Sequence, residues 1–166
     1  MAIFSKSLKE AEYFRRRRTA KQLACRDIFL APEYQALGVA SGRADDWSAF
    51  AVLACCDMVT QWGTRQKMLL FLPLHAEALQ EEQKLLQWSC DYARQNHADK
   101  LGLLCLRRKH MPEYPFRPAW EYALTVSFPI PEEALWVLPL REGELQRHGG
   151  EIDLPWGLHA LWDCLE

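Results

Sequence analysis

Between positions 5 and 30 no Gly or Pro interrupts the chain, and Leu8, Ala11 and Phe14, then Ala20, Leu23 and Ala24, recur at steps of three and four, with Phe29 following. That spacing predicts an amphipathic helix, closed by Pro32. Residues 38–46 (GVASGRADD) read as a polar loop punctuated by glycine. Residues 47–59 (WSAFAVLACCDMV) have the length and apolar density of a buried strand, residues 61–66 (QWGTRQ) break it, and residues 67–74 (KMLLFLPL) form a second strand. The short break predicts an antiparallel hairpin. Residues 76–96 form the clearest helix, with Leu79, Leu86, Cys90 and Ala93 on one side and Leu85 and Tyr92 flanking them. The apolar strand 101–106 (LGLLCL) follows. Strand, helix, strand over this distance is a crossover unit, so the two strands should lie parallel. After Arg107 come a proline-rich stretch (KHMPEYPFRPA) and two more strand-like segments, 121–128 and 134–140, with Pro129 and Pro131 between them.

Composition turns this string of elements into one domain. The chain has 166 residues, of which 49% are hydrophobic and 25% charged, enough apolar side chain for a single core. The run 49–56 is the longest apolar stretch and is far short of the roughly 20 residues needed to cross a bilayer. The opening MAIFSKSLKEAEYF is charged from Lys6 onward and lacks the apolar core of a signal peptide, so the expected location is the cytoplasm. None of the six cysteines stands in a CxxC pair, and Cys55 and Cys56 are strand neighbours pointing to opposite faces; reduced core thiols are the expectation. Five scattered histidines without HxxxH or HExxH spacing argue against a zinc site.

Charge is divided unevenly. The net charge is −2, yet residues 1–26 hold eight Lys or Arg against two Glu, about +6, leaving about −8 on the remainder. The run Arg15-Arg16-Arg17-Arg18 covers a full helical turn. It reads as a solvated face paired with acids such as Glu10 and Glu12, or as a surface for a protein partner. Nucleic acid is disfavoured, because the rest of the chain is acidic and the run carries no interleaved aromatics. Seven Trp, several of them in turns and in the C-terminal half, exceed what a core of this size needs, and exposed ones would mark an interface.

The wording of the second half is more specific. The strand before the central helix ends Phe71-Leu72-Pro73-Leu74-His75; the helix runs out through Asp91-Tyr92-Ala93-Arg94 and is followed by Leu103-Leu104-Cys105-Leu106. Then come Tyr114-Pro115-Phe116-Arg117-Pro118-Ala119, the stretch PIPEEALWVL from Pro129 to Leu138, Arg141-Glu142-Gly143-Glu144-Leu145, Gly149-Gly150 and Pro155. In order and spacing these phrases resemble a branch of small bacterial proteins of the GNAT superfamily of acyl-CoA N-acyltransferases. The resemblance covers residues 47–157, with residues 1–31 as a basic N-terminal helix of the same single domain. It implies an α/β fold with a mixed, mostly antiparallel sheet in three α/β/α layers, opening between its fourth and fifth strands. It also implies acetyl-CoA or another acyl-CoA as the ligand, with main-chain atoms of Leu72, Leu74, His75 and Gln80 holding the donor.

The chain departs from the family where the donor's pyrophosphate should sit. GNAT proteins place a Q/R-x-x-G-x-G/A loop there, whose glycines let backbone N–H groups reach the phosphates at the positive helix end. Here the segment is His75-Ala76-Glu77-Ala78-Leu79-Gln80-Glu81-Glu82, without a glycine. A carboxylate facing a phosphate at about 5 Å would cost roughly 3 kcal/mol at an effective dielectric near 20, whereas Glu in a first turn that faces elsewhere complements the helix dipole. Relatives carry a Tyr that protonates the departing thiolate; its ungapped match is Met111, which has no proton to give, leaving Tyr114 and His110 as candidate acids. Asp57, the acid embedded in an apolar strand, is the candidate base. These departures suggest a GNAT-like protein with a degenerate acetyl-CoA site, acting as a binding or regulatory partner or using an altered acyl donor. The alternatives are an active N-acyltransferase and a non-enzymatic adaptor working through its basic helix.

Overall fold

A computed structural model describes residues 2–7, 27–43, 47–107, 115–141, 143–145, 149–155 and 158. The long apolar stretches become a hairpin of β3 (Trp47–Thr60) and β4 (Arg65–Ala76), joined by a turn at Gln61–Thr64. Helix α1 (Leu79–Asn96) then crosses to β5 (Gly102–Leu106), which pairs with β4 in parallel, as the crossover pattern requires. Before the hairpin lie β1 (Ala2–Ser7) and β2 (Leu37–Gly42); after β5 come β6 (Arg117–Pro118), β7 (Leu124–Val126), β8 (Leu135–Pro139) and β9 (Gly150–Asp153). The sheet order is β1-β2-β3-β4-β5-β8-β6, while β9 joins the far half of β3 at residues 57–60 and carries β7 on its other side.

Two expectations are corrected at the N-terminal end. Residues 5–7 belong to β1 and not to a helix, because β1 pairs antiparallel with β2 along its whole length, from Ala2↔Gly42 to Ser7↔Leu37. Tertiary pairing overrides the local helical period there. The segment read as a polar loop contributes residues 38–42 to β2, whose Val39, Ala40 and Ser41 are buried. Its small residues are what fits beneath a packed helix: Val39 shares an apolar cluster with Leu85 and Leu86 of α1. The rest of the expected first helix, including Arg15–Arg18, lies outside the described residues, apart from helical residues 27–29.

Alternation along the strands sends two apolar layers to opposite faces of the sheet. Phe50, Val52, Leu70, Leu72 and Leu104 face Phe29 and the C-terminal segments, whereas Ala51, Leu53, Phe71, Leu103 and Cys105 face Leu85, Cys90 and Ala93 of α1. The four described cysteines, Cys55, Cys56, Cys90 and Cys105, are free and buried. Burial pushes the Cys90 thiol up to about 12 and raises Cys56 and Cys105 as well. No described helix is long and apolar enough to cross a membrane.

Candidate functional site

One end of the sheet gathers the end of β4, the start of β3, the end of β2, the end of β5 and the first turn of α1. Here β4 and β5 separate. They are in register only at Leu69↔Leu103, Leu70↔Leu104 and Phe71↔Cys105, while β4 runs on through Leu72–Ala76 beside β3. The result is a wedge between two parallel strands, one wall of which is the β5-facing edge of β4.

Two β-bulges sit at this wedge. In the β3–β4 ladder Ala51 opposes Pro73 and Phe50 opposes His75, which leaves Leu74 as the extra residue. Strict alternation would turn His75 toward α1. The bulge resets the phase, so Leu74 stays in the layer away from α1 and the His75 ring stands 5.8 Å from Phe50 and 5.9 Å from Trp47. In the β2–β3 ladder Ser41 opposes Ala49 and Gly42 opposes Trp47, so Ser48 is the extra residue on β3. That slip brings the Ser48 hydroxyl to the carboxylate of Glu81, and the Ser48 carbonyl accepts the Glu77 amide at 2.8 Å.

The first turn of α1 is therefore tied down from beneath. Ser41 Oγ donates to Glu81 Oε2 at 3.0 Å, Ser48 Oγ donates to the same oxygen at 3.1 Å, and Lys84 Nζ reaches Oε1 at 3.3 Å. Burial pushes the Glu81 carboxyl pKa up, but the Ser41 hydroxyl, Lys84 and the Ser48 hydroxyl outweigh it and hold the group below its usual value. Glu82 turns to the other side of the helix and pairs with Arg107 Nη2, where Arg107 is the residue just beyond β5. Arg107 is 4% exposed and its backbone amide is fixed to the Ala134 carbonyl at 2.8 Å. Its Nη1 is buried with no hydrogen-bond partner among the described residues, a state that costs about 1–3 kcal/mol. So of the three acids in the segment that would border a bound phosphate, Glu81 and Glu82 are engaged by neighbouring side chains and Glu77 is exposed.

The sequence candidates divide into three groups. Leu72, Leu74 and His75 lie together on the part of β4 that borders the wedge, and Gln80 is exposed in the first turn of α1. The side chains of Leu72 and Leu74 are buried, which leaves their main-chain groups for any ligand. Asp57 is brought elsewhere. It lies seven residues along β3 from Phe50, ~23 Å at ~3.3 Å per residue. Its carboxylate is held by Lys67 Nζ at 2.5 Å and Arg65 Nη1 at 3.2 Å, and Arg65 also reaches Asp153 at 3.4 Å. An acid so placed serves the β3–β4–β9 junction and does not reach the wedge. Tyr114, His110 and Met111 lie outside the described residues. Sequence reasoning missed Ser41, Ser48 and Arg107, which only the bulges and the end of β5 bring to the helix. Among the described residues no group of three His, Cys, Asp or Glu converges to hold a metal ion.

On the sheet face away from α1, a cavity of about 240 Å³ is lined by Leu124, Val126, Phe128, Ile130 and Leu135. One of its lining residues, Leu135, pairs with Leu106 at the end of β5.

In sequence, no family profile and no curated protein matches this chain. In structure it is similar to a GNAT family N-acetyltransferase (YhbS) from Escherichia coli, solved in complex with CoA at 1.55 Å. The TM-score is 0.72 at 14% identity, over 95% of this chain and 91% of that one. With a sheet that opens between β4 and β5, a bulge on β4 and a crossover helix starting at the opening, this chain has the fold of the GNAT superfamily of acyl-CoA N-acyltransferases.

Proposed function

We propose that the protein binds an acyl-CoA with its pantetheine arm in the wedge between β4 and β5 and transfers the acyl group to an amine. The observation that carries this reading is the edge of β4 beyond Phe71, bent by the Leu74 bulge. A strand edge without a strand neighbour presents N–H and C=O groups that match the amides of a pantetheine arm, as an added strand would. In the reaction the amine nitrogen attacks the thioester carbonyl carbon, an N–C bond forms, the C–S bond breaks, and the departing thiolate takes up a proton as the nitrogen loses one. Main-chain groups of Leu72 and Leu74 orient the arm. Tyr114 and His110 follow the end of β5 by eight and four residues and are the candidate acids for the thiolate. The apolar cavity beside Leu135 offers room for a nonpolar part of the acceptor.

The test has two stages. Calorimetry should give a dissociation constant for CoA below about 1 mM, and mass spectrometry with a panel of primary amines should detect acyl transfer from acetyl-CoA or a longer acyl-CoA. Replacing both candidate acids, Tyr114→Phe with His110→Ala, should then lower turnover about a hundredfold or more while leaving CoA affinity within a few fold. Unchanged turnover in that variant would remove both residues from the mechanism. A second reading has its own support in the glycine-free turn from His75 to Glu82: a protein that binds CoA or a partner without catalysis. CoA binding with no transfer to any amine in the panel would favour it.

A further inference from the structure

The glycine-free turn has a cation beside it that comes from the end of β5. We propose that Arg107 is the phosphate-binding residue of this site, its unpaired Nη1 taking a phosphate oxygen of the donor beside the first turn of α1; this inference rests on the acyl-CoA reading above. Three features converge. Helix α1 has 18 residues, and its N-cap, Ala78, has no capping side chain, so the amides of Leu79 and Gln80 have neither an intrahelical acceptor nor a side-chain cap. Arg107 pairs through Nη2 with Glu82 in that same turn, which sets the guanidinium beside the helix start. The other arm of the fork, Nη1, is buried and has no partner among the described residues.

A guanidinium presents two parallel donor arms suited to a carboxylate or phosphate, and here one arm is taken and the other idle. The two neighbouring carboxylates do not oppose an incoming anion as free charges would, because Glu81 is shared among Ser41, Ser48 and Lys84, and Glu82 is neutralised by Arg107 itself. A glycine loop surrounds a pyrophosphate with backbone amides. In this chain a side-chain cation from the end of β5 takes over part of that task, and Glu82 positions it.

The experiment compares ligands that differ in phosphate. Wild type, Arg107→Lys and the charge-balanced double variant Arg107→Met with Glu82→Gln are titrated with CoA, with pantetheine, which lacks phosphate, and with inorganic pyrophosphate, each variant first shown folded by circular dichroism. The double variant should bind CoA at least about tenfold more weakly and lose pyrophosphate, with pantetheine affinity within twofold of wild type; Arg107→Lys, keeping the charge without the fork, should fall between. A purely structural ion pair would weaken CoA and pantetheine together, and that result, or CoA binding unchanged in the double variant, overturns the proposal. If wild type binds pyrophosphate through Arg107 but not CoA, the anion site stands and the acyl-CoA reading falls. If it binds neither, both fall.

Discussion

Glu81 carries a charge on a residue that is 9% exposed, and its surroundings explain why the fold tolerates it: two hydroxyls and an ammonium share its two oxygens. Hydrogen bonds to a charged group contribute more than neutral ones, and removing the carboxylate leaves Ser41 and Ser48 facing each other at 3.4 Å with no charged acceptor. Glu81→Ala should therefore cost about 2–3 kcal/mol in urea unfolding. The carboxyl pKa is lowered in the folded state, so its contribution is fully present above the ordinary value of 4.5 and is lost as pH falls through the lower folded value. Acid unfolding followed below pH 4.5 should be less steep in Glu81→Gln than in wild type; equal slopes would show that the carboxylate does not carry the effect. The buried thiols give a second check. Raised pKa values keep Cys56, Cys90 and Cys105 protonated at pH 8, and only the thiolate attacks alkylating reagents. Iodoacetamide followed by peptide mass mapping should find these three unmodified in native protein and modified in urea. At this scale the sequence pointed to only part of the candidate site. Leu72, Leu74 and His75 could be placed because they sit in a phrase of fixed order on one strand, whereas Ser41, Ser48 and Arg107 carry no local signal and meet α1 only after two bulges and a crossover have formed.

Among the elements, the hairpin, the crossover helix and β5 were legible because each holds its period long enough to bury one face. Four strands were not. β1 runs into a stretch with helical spacing, β2 is built from small residues that look like a loop, β6 is two residues within the proline-rich stretch, and β9 is four residues that begin at a glycine pair. All four depend on long-range pairing, which local pattern does not encode. Gly150 shows the constraint: a Cβ there would run into the backbone carbonyl of Val59, and backbone cannot swing aside. Gly150→Ala should detach β9 from β3 and cost roughly 2 kcal/mol or more, while Gly143→Ala, with open space but φ at +76°, should cost about 1 kcal/mol. Equal losses at the two sites would mean that β9 does not pack as close to β3 as this. The wedge has an element-scale signature too. Leu69–Phe71 lie between β3 and β5, whereas Leu72–Ala76 have only β3 as a strand neighbour among the described residues. Hydrogen exchange should show a drop in protection after residue 71, and CoA should restore it if the ligand lies along β4. Uniform protection across 69–76 in the free protein would mean the wedge is closed in solution.

For the molecule as a whole, the consequence of alternation is that one sheet separates two apolar layers that answer to different sequence segments. Leu70 on β4 and Leu104 on β5 are register partners in the layer away from α1, and Leu85 belongs to the layer beneath α1, across the sheet from both. Layers packed on a sheet lie about 10 Å apart, so truncations on opposite faces share few partners. Each Leu→Ala change should cost about 2–5 kcal/mol, a large part of a typical domain's 5–15 kcal/mol, so the measurements belong in a stabilising osmolyte that keeps double variants folded. Leu70→Ala with Leu85→Ala should then add to within about 0.5 kcal/mol, because neither cavity relaxes into the other. Leu70→Ala with Leu104→Ala should deviate from additivity by more than that, since the two side chains border one space and its collapse is shared. Strong coupling across the sheet, with none within the layer, would mean that the two layers do not form the separate cores that the strand alternation assigns.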